Sequence, residues 1–101
     1  LRSNSLYKIE TYSGVKRDLR RLDKRVQEQI LEKHYSNIES DPYQAYPLSH
    51  EFGGLWSYHV SYHGGQYRIV YEIYPQDGII LVIMIGPREG FYKALRRRVK
   101  G

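Results

Sequence analysis

Residues 66–74 read Gln66-Tyr67-Arg68-Ile69-Val70-Tyr71-Glu72-Ile73-Tyr74, and this stretch decides the fold. It is rich in β-branched and aromatic residues, and strand side chains alternate between faces. Tyr67, Ile69, Tyr71 and Ile73 therefore share one side and Arg68, Val70, Glu72 and Tyr74 the other. On the C-terminal side, Ile79-Ile80-Leu81-Val82-Ile83-Met84-Ile85 is an unbroken apolar run, too short for an independent helix and suited to a strand covered on both faces. On the N-terminal side, Leu55-Trp56-Ser57-Tyr58-His59-Val60-Ser61 alternates, with Trp56, Tyr58 and Val60 facing the core. The turns between these segments, Tyr62-His63-Gly64-Gly65 and Pro75-Gln76-Asp77-Gly78, carry the glycines that tight hairpins need. Three consecutive antiparallel strands follow. A cation in the middle strand, Arg68, must find a partner, water or a ligand, because burying an unpaired charge is costly.

Working outward, residues 6–12 alternate weakly and predict a first strand. Val15, Leu19, Leu22, Val26 and Ile30 then recur at three- and four-residue spacings as one apolar helical stripe. The pattern is compatible with one long helix or with a helical hairpin broken near Leu22-Asp23, where Asp23 would cap the second helix. Asp41-Pro42 ends it, since the residue before proline is driven out of helical geometry. Residues 41–54, with two prolines and two glycines, read as a loop lying over the core through Tyr46, Leu48 and Phe52. After Pro87 a terminal helix is expected, with Phe91, Leu95 and Val99 four apart. The predicted architecture is α+β, in the order βααβββα, as one domain over residues 1–101.

The 101 residues contain no cysteine, which excludes disulfides and thiolate chemistry and suits a reducing, cytoplasmic setting. No run approaches the ~20 apolar residues of a membrane helix, and Leu1-Arg2-Ser3-Asn4-Ser5 lacks the apolar core of a signal peptide. The net charge of +5 is unevenly placed. Positive and negative residues cancel up to Pro87, and the excess lies in Arg88, Lys93, Arg96, Arg97, Arg98 and Lys100. Such a tail attracts polyanions, and a solvated helix end is the plain alternative. His34, His50, His59 and His63 have no metal-site spacing, and no phosphate-binding glycine loop or nucleophile elbow occurs. No metal or other cofactor is expected. If the strands align as simple hairpins, His59, Arg68, Arg88 and Tyr92 converge on one open face. That set suits phosphodiester cleavage: a base near a ribose 2′-OH, cations for the phosphate and a donor for the leaving oxygen. The plain alternatives are an Arg68 pair with Glu72 or Glu51, an Arg88 contact with Glu89, and Tyr92 as packing.

Pro47-Leu48, Gly54-Leu55-Trp56-Ser57-Tyr58-His59-Val60, Tyr67-Arg68-Ile69-Val70-Tyr71-Glu72-Ile73, Ile85-Gly86-Pro87-Arg88-Glu89 and Tyr92-Lys93, with Arg17-Asp18-Leu19-Arg20-Arg21-Leu22 before them, resemble the RelE/ParE toxin superfamily, on its RelE-like side. The resemblance implies a curved antiparallel sheet packed on an N-terminal helical hairpin. It implies a metal-independent endoribonuclease that enters the ribosomal A site, cleaves mRNA and is silenced by a cognate antitoxin in a hetero-oligomer. In that reading Arg68 and Arg88 bind phosphate, and Tyr92 orients the attacked nucleotide. Ser57, Lys93, Arg96, Arg97 and Arg98 contact RNA or ribosome. His59 and Ser57 stand where well-studied members carry two lysines. The lysine mechanism is not carried over; His59, with an ordinary pKa of about 6.5, is the expected base or acid. The alternatives are a ParE-like gyrase poison and a degenerate toxin kept as a binding module.

Overall fold

The computed structural model describes residues 6–100. Its five strands are β1 (Lys8–Thr11), β2 (Tyr46–Pro47), β3 (Leu55–Tyr62), β4 (Gly65–Tyr74) and β5 (Ile79–Pro87). They form one sheet in the order β1-β5-β4-β3-β2. The β3–β4–β5 meander is antiparallel as the alternation requires, and β1 adds to it in parallel, Lys8 beside Ile79 and Thr11 beside Val82. Gly78 makes this junction possible: its φ is 65°, its carbonyl accepts from Lys8 N at 2.8 Å, and a Cβ there would stand 2.6 Å from the Leu6 carbonyl oxygen.

The helical region resolves the open choice in favour of a break. Helix α1 (Val15–Arg20) stops before Leu22, and α2 (Lys24–Gln29) starts afresh with the Asp23 carboxylate accepting from Arg25 N at 2.8 Å. A wide π-helical turn, Ile30–His34, joins α2 to α3 (Tyr35–Ser40), and Asp41 ends the run. The stripe Val15, Leu22, Val26, Ile30 and Ile38 packs on Tyr58, Val60, Ile69, Tyr71, Ile80, Val82 and Ile85. Within this core the Tyr71 hydroxyl donates to the Pro42 carbonyl at 2.7 Å.

The second sheet face has its own smaller core. Helix α4 (Phe91–Lys100) lays Phe91 and Leu95 against Val70, Ile83, Met84 and Phe52. Val99, the third member of the expected stripe, is exposed. A bulge feeds this core: Val70 pairs with Met84 but Tyr71 with Val82, so Ile83 is the extra residue. The irregularity lets Ile83 and Met84, neighbours in sequence, both join the α4 side.

Residues 41–54 are more ordered than a loop. They hold two single 3-10 turns, Pro42–Gln44 and His50–Phe52, and the short edge strand β2, in which Tyr46 and Pro47 face Ser57 and Trp56. Proline lacks the N–H of a central strand but is tolerated at an edge, and two residues are too few to print an alternation. Phe52 and Leu48 enter the second core as expected, whereas Tyr46 points away from any core and is 61% exposed. Among the described residues no helix is long and apolar enough to cross a membrane.

Candidate functional site

The pleat of β3 places Ser57 and His59 on the sheet face that carries α4, and the pleat of β4 places Arg68 there too. The register sets His59 directly opposite Arg68, and Arg68 opposite Gly86. Opposed residues on adjacent strands have Cα atoms about 4.5–5.5 Å apart. Gly86 has no side chain to crowd the guanidinium, and the Phe91 ring stands where its Cβ would make contact, at 3.6 Å. Neither acid considered for Arg68 reaches it. Glu72 accepts from the Tyr74 hydroxyl at 2.8 Å and Glu51 holds Arg96. Arg68 Nη1 donates to its neighbour's carbonyl, Tyr67 O, at 3.3 Å, while Nε is buried with no hydrogen-bond partner. Buried donors are almost always satisfied. Such a group is suited to an incoming acceptor.

His59 is exposed on its outer side and stacked on the Tyr46 ring, with centroids 4.5 Å apart and planes at 31°. Its pKa is lowered from the ordinary histidine value, first by desolvation and then by the Arg68 charge. The imidazole is therefore neutral at pH 7 and free to accept a proton.

Tyr92, in the first turn of α4, shares a 2.9 Å hydrogen bond with Ser57 Oγ. Its ring lies against Phe52 and Phe91, at 6.1 and 5.3 Å between centroids. Ser57 is fully buried, so it meets Tyr92 rather than a surface ligand. Arg88 is exposed, follows the end of β5, and donates its backbone N–H to Gln66 O at 2.9 Å. That contact lies two positions along from Arg68 opposite Gly86, beyond the pair Tyr67 and Pro87. The Arg88 side chain forms no ion pair with Glu89 or with any other acid among the described residues.

The basic helix divides into two kinds of cation. Arg96 grips Glu51, with Nε 3.1 Å from both carboxylate oxygens and Nη2 2.6 Å from Oε2. This contact holds the Glu51 carboxyl below the usual carboxylate range. Arg98 turns inward: Nη1 and Nη2 donate to the two oxygens of buried Asp18 at 2.7 and 2.9 Å, and Nη1 also donates to Ile83 O at 2.9 Å. Arg98, expected to contact RNA, thus has both Nη atoms engaged within the protein. Lys93 and Arg97 remain exposed and make no ion pair among the described residues. Sequence reasoning did not single out Tyr46 beside His59, because a lone tyrosine in a proline-containing loop gives no signal of which strand it will join. Asp18 was equally silent, hidden in a run of charges. A cavity of about 370 Å³ lies elsewhere, between Asp23, Arg25 and Val26 on one side and Tyr62, His63 and Tyr67 on the other. Tyr62 and Tyr67 belong to the helix-covered face, so this cavity and the Arg68 face are distinct.

The model of a ParE-like toxin of type II bacterial toxin-antitoxin systems matches residues 9–96. Solved structures of the same fold include the RelBE2 toxin-antitoxin complex from Mycobacterium tuberculosis, with 23% identity and a TM-score of 0.69 over 81% of this chain and 98% of that one. A free Escherichia coli RelE toxin double mutant gives 20% identity and a TM-score of 0.69 over 90% and 96% of the two chains. The archaeal RelE–RelB complex from Pyrococcus horikoshii OT3 gives 24% and 0.61 over 83% and 97%. No match was found among curated protein sequences. With a RelE-like α+β fold and a family match running through nearly all of its elements, the chain belongs to the ParE-like toxins of type II bacterial toxin-antitoxin systems.

Proposed function

We propose that this toxin is an endoribonuclease that cleaves mRNA, with the ribosome presenting the message, and so stops translation. The observation that carries the reading is the pairing of a neutral, outward-facing His59 with Arg68, whose buried Nε lacks a partner. His59 takes the proton of a ribose 2′-OH, and the 2′-oxygen attacks the adjacent phosphorus. The bond to the 5′-oxygen breaks and that oxygen takes a proton from solvent, leaving a 2′,3′-cyclic phosphate and a 5′-OH. Arg68 and Arg88 stabilise the charge that grows on the non-bridging oxygens. Tyr92, fixed through Ser57, orients the attacked nucleotide, and Lys93 and Arg97 add attraction for the backbone. Two of the structural relatives are toxin-antitoxin complexes. That likeness supports a cognate antitoxin as partner, and in this reading it covers the Arg68 face in a cytoplasmic hetero-oligomer.

The test is primer extension on a defined mRNA, with and without programmed ribosomes, comparing wild type with Arg88→Ala. Ribosome-dependent cuts that fall by about 10²–10³ in the variant are expected, the usual loss for one donor to a developing oxyanion. Absence of cuts in both settings overturns the reading. The ParE-like family match favours one rival, inhibition of DNA gyrase through protein contacts. Inhibited supercoiling by purified gyrase, without RNA cuts, is its signature.

A further inference from the structure

The row of side chains on the Arg68 face begins one strand earlier than the phosphodiester chemistry requires. Tyr46 lies on edge strand β2 opposite Ser57, on the same face as Ser57, His59 and Arg68. One side of its ring is backed by the His59 imidazole at 4.5 Å, yet the residue remains 61% exposed. A tyrosine serving only as packing would bury its ring, which is where its contribution to stability comes from. Here the covered side is the catalytic histidine and the open side is solvent. Tyr46 and Arg68 sit two strand spacings apart across the sheet and two residues apart along it, about 12 Å between Cα atoms, within reach of a base and the phosphate beside it once their side chains extend. Every nucleobase has a π-face, and exposed aromatic rings beside cations are how sheet proteins hold single strands.

We propose that Tyr46, backed by His59, is a stacking platform for the nucleobase adjoining the phosphate held by Arg68. The site takes one unpaired base of single-stranded RNA, and it rests on the endoribonuclease reading given above. Because His59 is both backstop and base, the bound nucleobase also brings its ribose toward the imidazole.

The experiment measures kcat/KM for cleavage of a defined mRNA on programmed ribosomes by wild type, Tyr46→Phe, Tyr46→Trp and Tyr46→Ala. The messages are intact or carry a single abasic residue at successive positions around the cut. Loss of one stacked base corresponds to roughly 5- to 100-fold. The expected result is a loss in that range for Tyr46→Ala, with Phe and Trp within about threefold of wild type because they keep the ring. One abasic position should cost wild type a similar factor and cost Tyr46→Ala nothing further. Additive losses, or a Tyr46→Ala rate equal to wild type on intact message, overturn the platform and leave the nuclease standing. A Tyr46→Ala loss that is the same with every message and shifts the pH profile assigns Tyr46 to holding His59 alone, and also overturns it. If wild type cuts no RNA, the nuclease reading itself falls and the platform falls with it. Tyr46 is exposed, so thermal unfolding of each variant should match wild type and exclude misfolding.

Discussion

Replacing Asp18 by alanine should destabilise this protein far more than any other change on its charged surface. The carboxylate is only 6% exposed and accepts three hydrogen bonds: Ile85 N at 3.0 Å, and Arg98 Nη1 and Nη2 at 2.7 and 2.9 Å. Alanine leaves the Ile85 N–H, on a buried strand next to the bulge, with no acceptor, at a cost of about 1–3 kcal/mol. It also leaves Arg98 without its counter-charge. Breaking a fully buried pair costs about 3–5 kcal/mol, but the Arg98 side chain is 24% exposed and keeps Ile83 O, which places this part nearer 2 kcal/mol. The sum, about 3–5 kcal/mol, is a large share of the roughly 5–15 kcal/mol that holds a domain together. At roughly 4–8 °C per kcal/mol for a chain of this size, the midpoint should drop by more than about 12 °C. Urea unfolding followed by circular dichroism, with Arg98→Ala and the double variant, measures both the loss and the coupling. Coupling of about 1.5 kcal/mol or more is expected. Asp18→Ala within about 0.5 kcal/mol of wild type, or additive single losses, would refute the argument that Arg98 is a structural cation. Arg97→Ala is the contrast, since Arg97 makes no ion pair among the described residues and its removal should leave stability unchanged.

Two further outcomes follow from the same geometry. His34 and His59 both have lowered pKa values, His34 through desolvation and then Lys33, His59 through desolvation and then Arg68. The unfolded chain therefore binds protons more readily, and stability should be full above the ordinary value of about 6.5 and fall as pH drops from there through the lowered values; a urea midpoint equal at pH 7 and pH 5, or one whose pH dependence survives His34→Gln with His59→Gln, would contradict this. Tyr71→Phe removes the 2.7 Å bond to Pro42 O inside the main core and leaves that carbonyl without this donor; a loss of about 1–3 kcal/mol is expected, and a neutral result in chemical denaturation would show that the contact at residue 42 is dispensable.

The strands of the meander were legible because their physical cause is local. Alternation in Trp56, Tyr58 and Val60, and again in Tyr67, Ile69, Tyr71 and Ile73, matched the burial found, and glycine-bearing turns marked the hairpins. The Asp23 cap was legible for the same reason. What escaped had causes distant in sequence. The parallel docking of β1 on β5 depends on residues brought together from the two ends of the fold. The bulge at Ile83 was masked by a run in which every residue is apolar, so that no face could be read. Of the candidate site, the register put His59 across from Arg68 as the hairpin reading implied. The cations of the last helix were not separable by sequence, because Arg96, Arg97 and Arg98 look alike until Glu51 and Asp18 are seen to claim two of them.

The order in which these pieces leave a ribosome gives the architecture a timetable. Chains emerge N-terminus first at roughly 5–20 residues per second, and contacts between distant segments must wait for the later partner. Strand β1 is made early, yet among the described residues its only strand neighbour is β5; Asp18 is made early, yet Arg98 follows 80 residues later. Helix α4, which anchors Tyr92 over Ser57, follows every strand. Until α4 has emerged, the growing chain is an unclosed sheet whose Arg68 face lacks Tyr92. The fold therefore closes only once α4, the last of its described elements to leave the ribosome, has been made.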